Sequence, residues 1–566
     1  MSERTRTLVS VLTVAAVAAA MLLPWLGSMT LFDVDEPRFA EAARSMHETG
    51  DLLIPYFNGE VRYDKPPLIY WVMLAGYRIF GVNEWGARIG SAIAAIGSCL
   101  MIFAIARAMF GRRAGMVSAI MAATTLLIVI ESRTATADSV LLFTILVMFY
   151  GFWRIHSGHR RIGSYALMYG GLAAGSLTKG PVSLAILIVT LLLYAMLRRD
   201  YSLGRRPAAA QWLSEVWLVA RETHIWLGLL FTVLVVLAWF IPALVATQGG
   251  FFTDGFVRHV VYRSFGSEAM ESHRGIPVVF YLVILPVAFF PWFAILPESC
   301  RRFWNDRTDP GRRAFLLAWA IAPFLVFSFL TTKLFHYTMP AYPALAMICG
   351  WAASSAYDER RTFLAHWAGK TGIGIFAATG IAVAAGILIY PAIIRWEELV
   401  KSMIAPHVAL LVLTCGAFLL LRSVRNRLAV PGIALLTMIA TLVLLGTGAA
   451  SLRRSAMFKN LAAEVKAELK PGDSVVHVGT LQPSLVFYLQ RPILSADNTD
   501  ELTGILRKST RCICIAQTSK AEIIERAGGV KLKEGSYFDT RKMKWRQMGV
   551  WEVRAGAGDE DEGMKR

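Results

Sequence analysis

The chain has 566 residues, of which 55% are hydrophobic and only 17% charged, a composition that no ordinary soluble domain matches. Apolar runs of about twenty residues recur from Thr7 to the neighbourhood of Ala450, each long enough to cross a hydrocarbon core of roughly 30 Å. The formal charge of +18 would suggest nucleic acid in a soluble protein. Here Arg and Lys sit in short clusters between apolar runs, where they report topology, so a soluble enzyme, a disordered chain, a disulfide scaffold and a nucleic-acid binder are all excluded.

The first apolar run, Thr7 to about Gly27, follows Arg4 and Arg6 and is too long and too richly followed by others to read as a cleaved signal. Further spans are expected near 87–110, 115–131, 138–154, 163–178, 181–197, 224–246, 276–296, 314–331, 337–356, 371–393, 407–421 and 429–450, about thirteen in all. Every second loop is basic, with Arg112/Arg113, Arg160/Arg161, Arg198/Arg199, Arg301/Arg302, Arg360/Arg361 and Arg422/Arg425, which assigns those loops to the cytoplasm. The other loops face outward. Two of them, 28–86 and 247–275, are long, and the first is rich in carboxylates.

Residues 1–450 therefore read as a membrane domain. After Arg453/Arg454 the chain changes character. Strand-like runs (474–479, 512–516, 549–553) alternate with helix-like ones (461–469, 501–508, 521–527), the pattern of a small α/β domain over 451–556 followed by a frayed tail, 557–566. An odd span count from a cytoplasmic N-terminus places that domain outside. Gly479-Thr480-Leu481-Gln482-Pro483 after its first strand lacks a dinucleotide fingerprint. Four cysteines lie in or beside spans, and Cys512 and Cys514 stand two apart in a strand-like run, a spacing poorly suited to a mutual disulfide.

Asp33, Asp35, Glu36, Arg38 and Glu41 crowd the stretch directly after the first span, with Pro37 placed for a helix's first turn. A capped, solvated helix start would account for them. Ionisable groups at a membrane surface also mark function, and the loop continues through Tyr63-Asp64-Lys65-Pro66-Pro67 into an aromatic amphipathic run, 68–80, suited to an interfacial helix.

DEPRFAEAARSM from Asp35, DKPPLIYW from Asp64, SRTATADSV at 132–140, LTKGP at 177–181 and KLFHYTMPAYPALA at 333–346 together resemble the polyprenyl-phosphate-sugar-dependent membrane glycosyltransferases of the GT-C class, related to the protein mannosyltransferases. The nearest branch is the aminoarabinose transferase of lipid A and its undecaprenyl-dependent relatives. The resemblance implies a polytopic α-helical GT-C fold with an outer α/β domain in the bacterial cytoplasmic membrane. It also implies an inverting transfer of sugar from a polyprenyl phosphate to a lipid or glycan acceptor at the outer face. A secondary transporter or lipid flippase is the competing class, though the charged residues concentrate in outer loops instead of mid-span.

Asp35 matches the family's first-loop aspartate, the expected catalytic carboxylate, and Asp138 an aspartate that helps shape the site. Lys65 matches the lysine before the paired prolines and would bind the lipid phosphate as a compact point charge. Arg38, Asp64, His259, Arg263, Lys333, His336 and Tyr337 are looser carry-overs to the substrate and phosphate region; each is also suited to an interfacial anchor or helix-end charge. Relatives can hold a divalent metal beside a glutamate preceding the lysine, a position that is Asp64 here. With only His259 or His273 as partners no spaced ligand set emerges, so cofactor and metal stay unassigned, as do the sugar, the acceptor and the oligomeric state.

Overall fold

The computed structural model describes residues 2–198, 209–262, 279–359, 363–393, 396–422, 429–454, 457–539 and 544–554. Helix α1 (Glu3–Leu22) starts on Ser2, whose hydroxyl accepts from Thr5 N. The first outer loop then builds α2 (Asp35–Thr49), closed by Gly50 in the left-handed region. A two-residue hairpin follows, β1 (Tyr56–Phe57) with β2 (Glu60–Val61). Asn58 and Gly59 have φ of +55° and +83°, the geometry an Asn-Gly turn supplies at low steric cost. The expected interfacial helix is α3 (Leu68–Phe80). Its Tyr77 hydroxyl donates to Ala40 O at 3.0 Å, and Tyr70, Met73 and Tyr77 pack with Phe39, Ala43 and Met46 of α2 into a core of the loop's own.

Helix α4 (Glu84–Phe110) is capped by the Asn83 side chain, which accepts from Gly86 N. It is followed by α5 (Arg112–Ala123), α6 (Leu126–Ser132), α7 (Asp138–His156) and α8 (Ile162–Lys179). Helices α7 and α8 lie unusually close. A Cβ on Gly151 would sit 2.3 Å from Met168 N, and one on Gly171 2.6 Å from Met148 N, so these two glycines let the backbones meet, as small residues do between membrane helices.

Among the described residues, eight helices are long and apolar enough to cross a membrane. They are α1, α4, α7, Ile225–Ala246, Pro310–Ser328, Trp367–Ile393, Leu399–Arg422 and Ala429–Gly448, with a ninth crossing if α5 and α6, bent by 62°, form one broken span. Thirteen is not reached. The apolar run expected to cross at 276–296 is instead Phe280–Ala288, a 3-10 turn Trp292–Ala294 and Leu296–Trp304, with Pro286 and Pro291 removing the backbone donors a continuous helix needs. The runs at 163–178, 181–197 and 337–356 are helices of 18, 16 and 18 residues, short or insufficiently apolar for a full crossing.

The C-terminal region forms a mixed five-stranded sheet, with β3 (Ser474–Val478), β4 (Leu494–Ala496), β5 (Arg511–Gln517), β6 (Val530–Asp539) and β7 (Lys544–Arg554) in the order β4-β3-β5-β7-β6. β3 runs parallel to β4 and β5, and β7 antiparallel to β5 and β6. Central β5 is buried from Cys512 to Ala516, because helices cover both faces; its two cysteines are free. The sheet docks on the first outer loop. Asn58 Nδ2 donates to Ile493 O at 2.9 Å while Ile493 N donates to Asn58 Oδ1 at 2.8 Å, and the Trp396 and Trp545 rings meet at 5.1 Å. The α/β region and the loop 28–86 are therefore on the same side of the helices, whatever the number of crossings.

Candidate functional site

The site is framed by a buried ion pair that the sequence did not single out. Arg88, in the second turn of α4, grips Glu36 with two parallel bonds, Nε to Oε1 at 2.8 Å and Nη2 to Oε2 at 2.7 Å. Both side chains are about 2% exposed. Every remaining lone pair and proton is engaged. Arg88 also donates to the carbonyls of Leu26, Met29 and Thr30, and Glu36 accepts from Phe32 N and from Ala135 N at 2.6 Å. Glu36 thus ties the start of α2 to the segment leading into α7. Arg133 secures that segment from behind, donating to the carbonyls of Met21, Leu22 and Pro24 at the end of α1, where the helix's partial negative charge lies.

On this frame four chain segments converge. Asp138, the first residue of α7, pairs with Lys179, the last of α8, at 2.7 Å. The Lys179 ammonium lies 5.0 Å from the centre of the Tyr337 ring. His336 stands between two carboxylates, Nε2 3.8 Å from Asp138 and Nδ1 3.5 Å from Glu131 at the end of α6. Burial holds the His336 imidazole below its usual range, against the pull of Asp138, with Asp35 and Lys65 also within electrostatic reach. Asp138 feels Lys65 as well. So Asp35, Lys65, Asp138, His336 and Tyr337, predicted from separate motifs, gather at one place, with Lys179 and Glu131 added. Asp35 itself is exposed at the first turn of α2, whereas its neighbour Glu36 is buried.

The looser candidates divide. Arg38 is half-buried on α2. Lys333 is buried and donates to Leu330 O at 2.7 Å, turned back on its own loop. Asp64 is paired with Arg62 at 3.1 Å, and Arg62 Nε donates to Tyr70 Oη at 3.0 Å, so the carboxylate proposed for a metal already has a cation. Among the described residues no group of three or more His, Cys, Asp or Glu is placed to hold a metal ion. His259 falls in the helical segment Phe251–Tyr262; its side chain, and Arg263 entirely, lie outside the described residues.

Arg88, Glu131 and Lys179 were missed as individual residues, and Glu36 was noted only as one of the carboxylates crowding its stretch. Lys179 had a signal, since it is the lysine of LTKGP. Arg88 had only its burial in an apolar span, where an unexplained charge is itself a pointer.

The chain is similar to known proteins in sequence and in fold. The family described as dolichyl-phosphate-mannose-protein mannosyltransferase matches residues 64–245. The undecaprenyl phosphate-α-4-amino-4-deoxy-L-arabinose arabinosyl transferase of Edwardsiella ictaluri is 29% identical over 323 residues, 56% of this chain and 54% of that protein. The matched stretch thus spans about half the length of the curated relative. The crystal structure of ArnT from Cupriavidus metallidurans superposes with a TM-score of 0.75 at 21% identity over 98% of this chain and 99% of that one. The same protein bound to undecaprenyl phosphate gives 0.73 at 22%, again over 98% and 99%. The chain therefore has the fold of ArnT over nearly its whole length.

Proposed function

We propose that the chain is an inverting glycosyltransferase that takes a sugar from an undecaprenyl-phosphate donor at the outer face of the bacterial cytoplasmic membrane. The sugar of the curated relative's name, 4-amino-4-deoxy-L-arabinose, is the first candidate, and lipid A the first acceptor. The observation that carries the reading is the convergence on His336 of Asp35, Lys65, Asp138 and Lys179, drawn from four separate segments, at the junction of the helices with the outer loop.

The chemistry needs that mixture of charge. An acceptor oxygen attacks the anomeric carbon while the bond from that carbon to the phosphate oxygen breaks, and the electron pair leaves with the polyprenyl phosphate. Lys65 meets the growing phosphate charge. Asp35 takes the proton where the acceptor is a hydroxyl; where it is a phosphate, already ionised, Asp35 only orients it. Asp138 holds Lys179 and faces His336, which burial keeps neutral and so able to accept or donate a hydrogen bond to substrate. Tyr337 lines the same cluster through its contact with Lys179. Asp64, paired with Arg62, positions the loop carrying Lys65.

The test is release of undecaprenyl phosphate when the purified protein meets undecaprenyl-phosphate aminoarabinose and lipid A. Acceptor-dependent release supports the reading. Intact donor moved between leaflets without release would sink it in favour of a flippase. The α/β domain should lie in the periplasm, so a C-terminal reporter that works only after export should be active; activity in the cytoplasm would reverse the assigned side.

A further inference from the structure

The helix Pro483–Leu489 belongs to two cores at once. Leu485, Val486 and Leu489 are buried within the α/β domain, whereas Phe487, 2% exposed, is buried with Phe39, Tyr70 and Tyr77 of the first outer loop. Tyr488 beside it makes a two-sided contact. Its hydroxyl accepts from Leu31 N at 3.0 Å and donates to Glu84 Oε1 at 3.2 Å, and Lys459 Nζ reaches the same Glu84 oxygen at 2.6 Å. One turn earlier, Ser484 N donates to Asp33 Oδ1 at 2.9 Å. The chain is thus held by the α/β domain at residues 31 and 33 and by Arg88 and Ala135 at residue 36, with Asp35 in the short stretch between.

We infer that Tyr488 is a positioning residue for the transfer reaction, setting the Asp35 carboxylate through the Leu31 and Glu84 contacts of its hydroxyl. The inference rests on Asp35 being the carboxylate at the reacting centre. It gives the α/β domain a part in the chemistry of a site it does not itself line. The leverage is geometric: a displacement of about 1 Å at a reacting group costs on the order of a hundredfold in rate, and the Tyr488 hydroxyl and Ser484 N hold residues 31 and 33 on the domain side. Phenylalanine keeps the ring and its packing but can neither accept from Leu31 N nor donate to Glu84, so Tyr488→Phe removes the hydroxyl's two contacts and leaves the Ser484–Asp33 bond in place.

In the full-length enzyme, Tyr488→Phe should lower kcat about tenfold with the KM for the lipid donor unchanged, and amide hydrogen exchange at Leu31 should accelerate. Asp35→Asn is measured alongside. Tyr488→Phe turning over at the wild-type rate while Asp35→Asn is inactive overturns the positioning role and leaves the reading of Asp35 intact. A lowered melting temperature with kcat and Leu31 exchange unchanged also overturns it, since that is mere docking. Full activity in Asp35→Asn removes the reading of Asp35 and the inference with it, a result recognisable without Tyr488→Phe.

Discussion

The Glu36–Arg88 and Asp138–Lys179 pairs are both buried at helix ends, but they are satisfied to different degrees. Glu36–Arg88 is closed: two parallel bonds, three carbonyls and two backbone amides account for its polar atoms. Around Asp138–Lys179 the contacts loosen, with His336 at 3.8 Å from one carboxylate and 3.5 Å from another and its Nδ1 without a hydrogen-bond partner among the described residues. A buried network left partly satisfied is costly unless something else completes it. The closed pair has the geometry of a scaffold, and the open cluster is where the substrate of the proposed reaction would complete the contacts.

The contrast breaks most sharply at Asp35. Asp35→Asn keeps the shape at an exposed position, so turnover should fall by roughly 10²- to 10⁴-fold while the melting temperature stays near wild type. A merely capping Asp35 would tolerate Asn well, and normal rates in a transfer assay would remove it from the chemistry. Asp33→Asn is the internal control and should hurt less.

Arg88→Met should do the reverse. It strands the Glu36 carboxylate in the interior, at a cost of about 3–5 kcal/mol, visible as loss of folded protein on size-exclusion chromatography before any kinetic defect can be read. A stable, active Arg88→Met would mean that the frame is dispensable.

A buried histidine of the α/β domain extends the comparison to pH. His477 on β3 is 1% exposed, and burial lowers its pKa to about 4. The unfolded chain protonates first, so stability is full above about pH 6.5 and falls as the pH drops toward 4, by about 3 kcal/mol in the limit. Denaturation of the wild type should steepen its dependence over that window relative to His477→Leu; parallel curves would refute the assignment.

The smallest effect is expected at Lys65. Removing one charge-assisted contact costs on the order of 1.5–3 kcal/mol, so Lys65→Ala should weaken binding of undecaprenyl phosphate roughly ten- to a hundredfold by titration. Lys65→Arg should restore part of it, because a broad fork replaces a compact ammonium.

The sequence made the open cluster legible and the closed pair obscure for the same physical reason. Asp35, Lys65, Asp138 and His336 each sit in a short motif that resembles the GT-C transferases, so the resemblance picked them out. Glu36 and Arg88 are 52 residues apart, and nothing local pairs a carboxylate in a loop with an arginine inside an apolar run. The helix count failed where hydropathy is blind to length and breaks: Pro286 and Pro291 interrupt an apolar stretch, and Val182–Leu197 ends after 16 residues. The strands β3, β5 and β7 stood out as buried apolar runs. β4 has three residues and β6 is the lysine-rich VKLKEGSYFD, and neither carries that signal.

The helix Pro483–Leu489 also imposes an order on biosynthesis. Asp33 and Ser484 are 451 residues apart in the chain, so at about 5–20 residues per second the ribosome needs roughly 20 to 90 s after making the first outer loop to supply its partner. Throughout that interval the nascent chain has its carboxylates but lacks the domain that braces them. The loop is thus made well before the helix that braces it, and a polypeptide released before residue 484 would lack the Asp33–Ser484 contact.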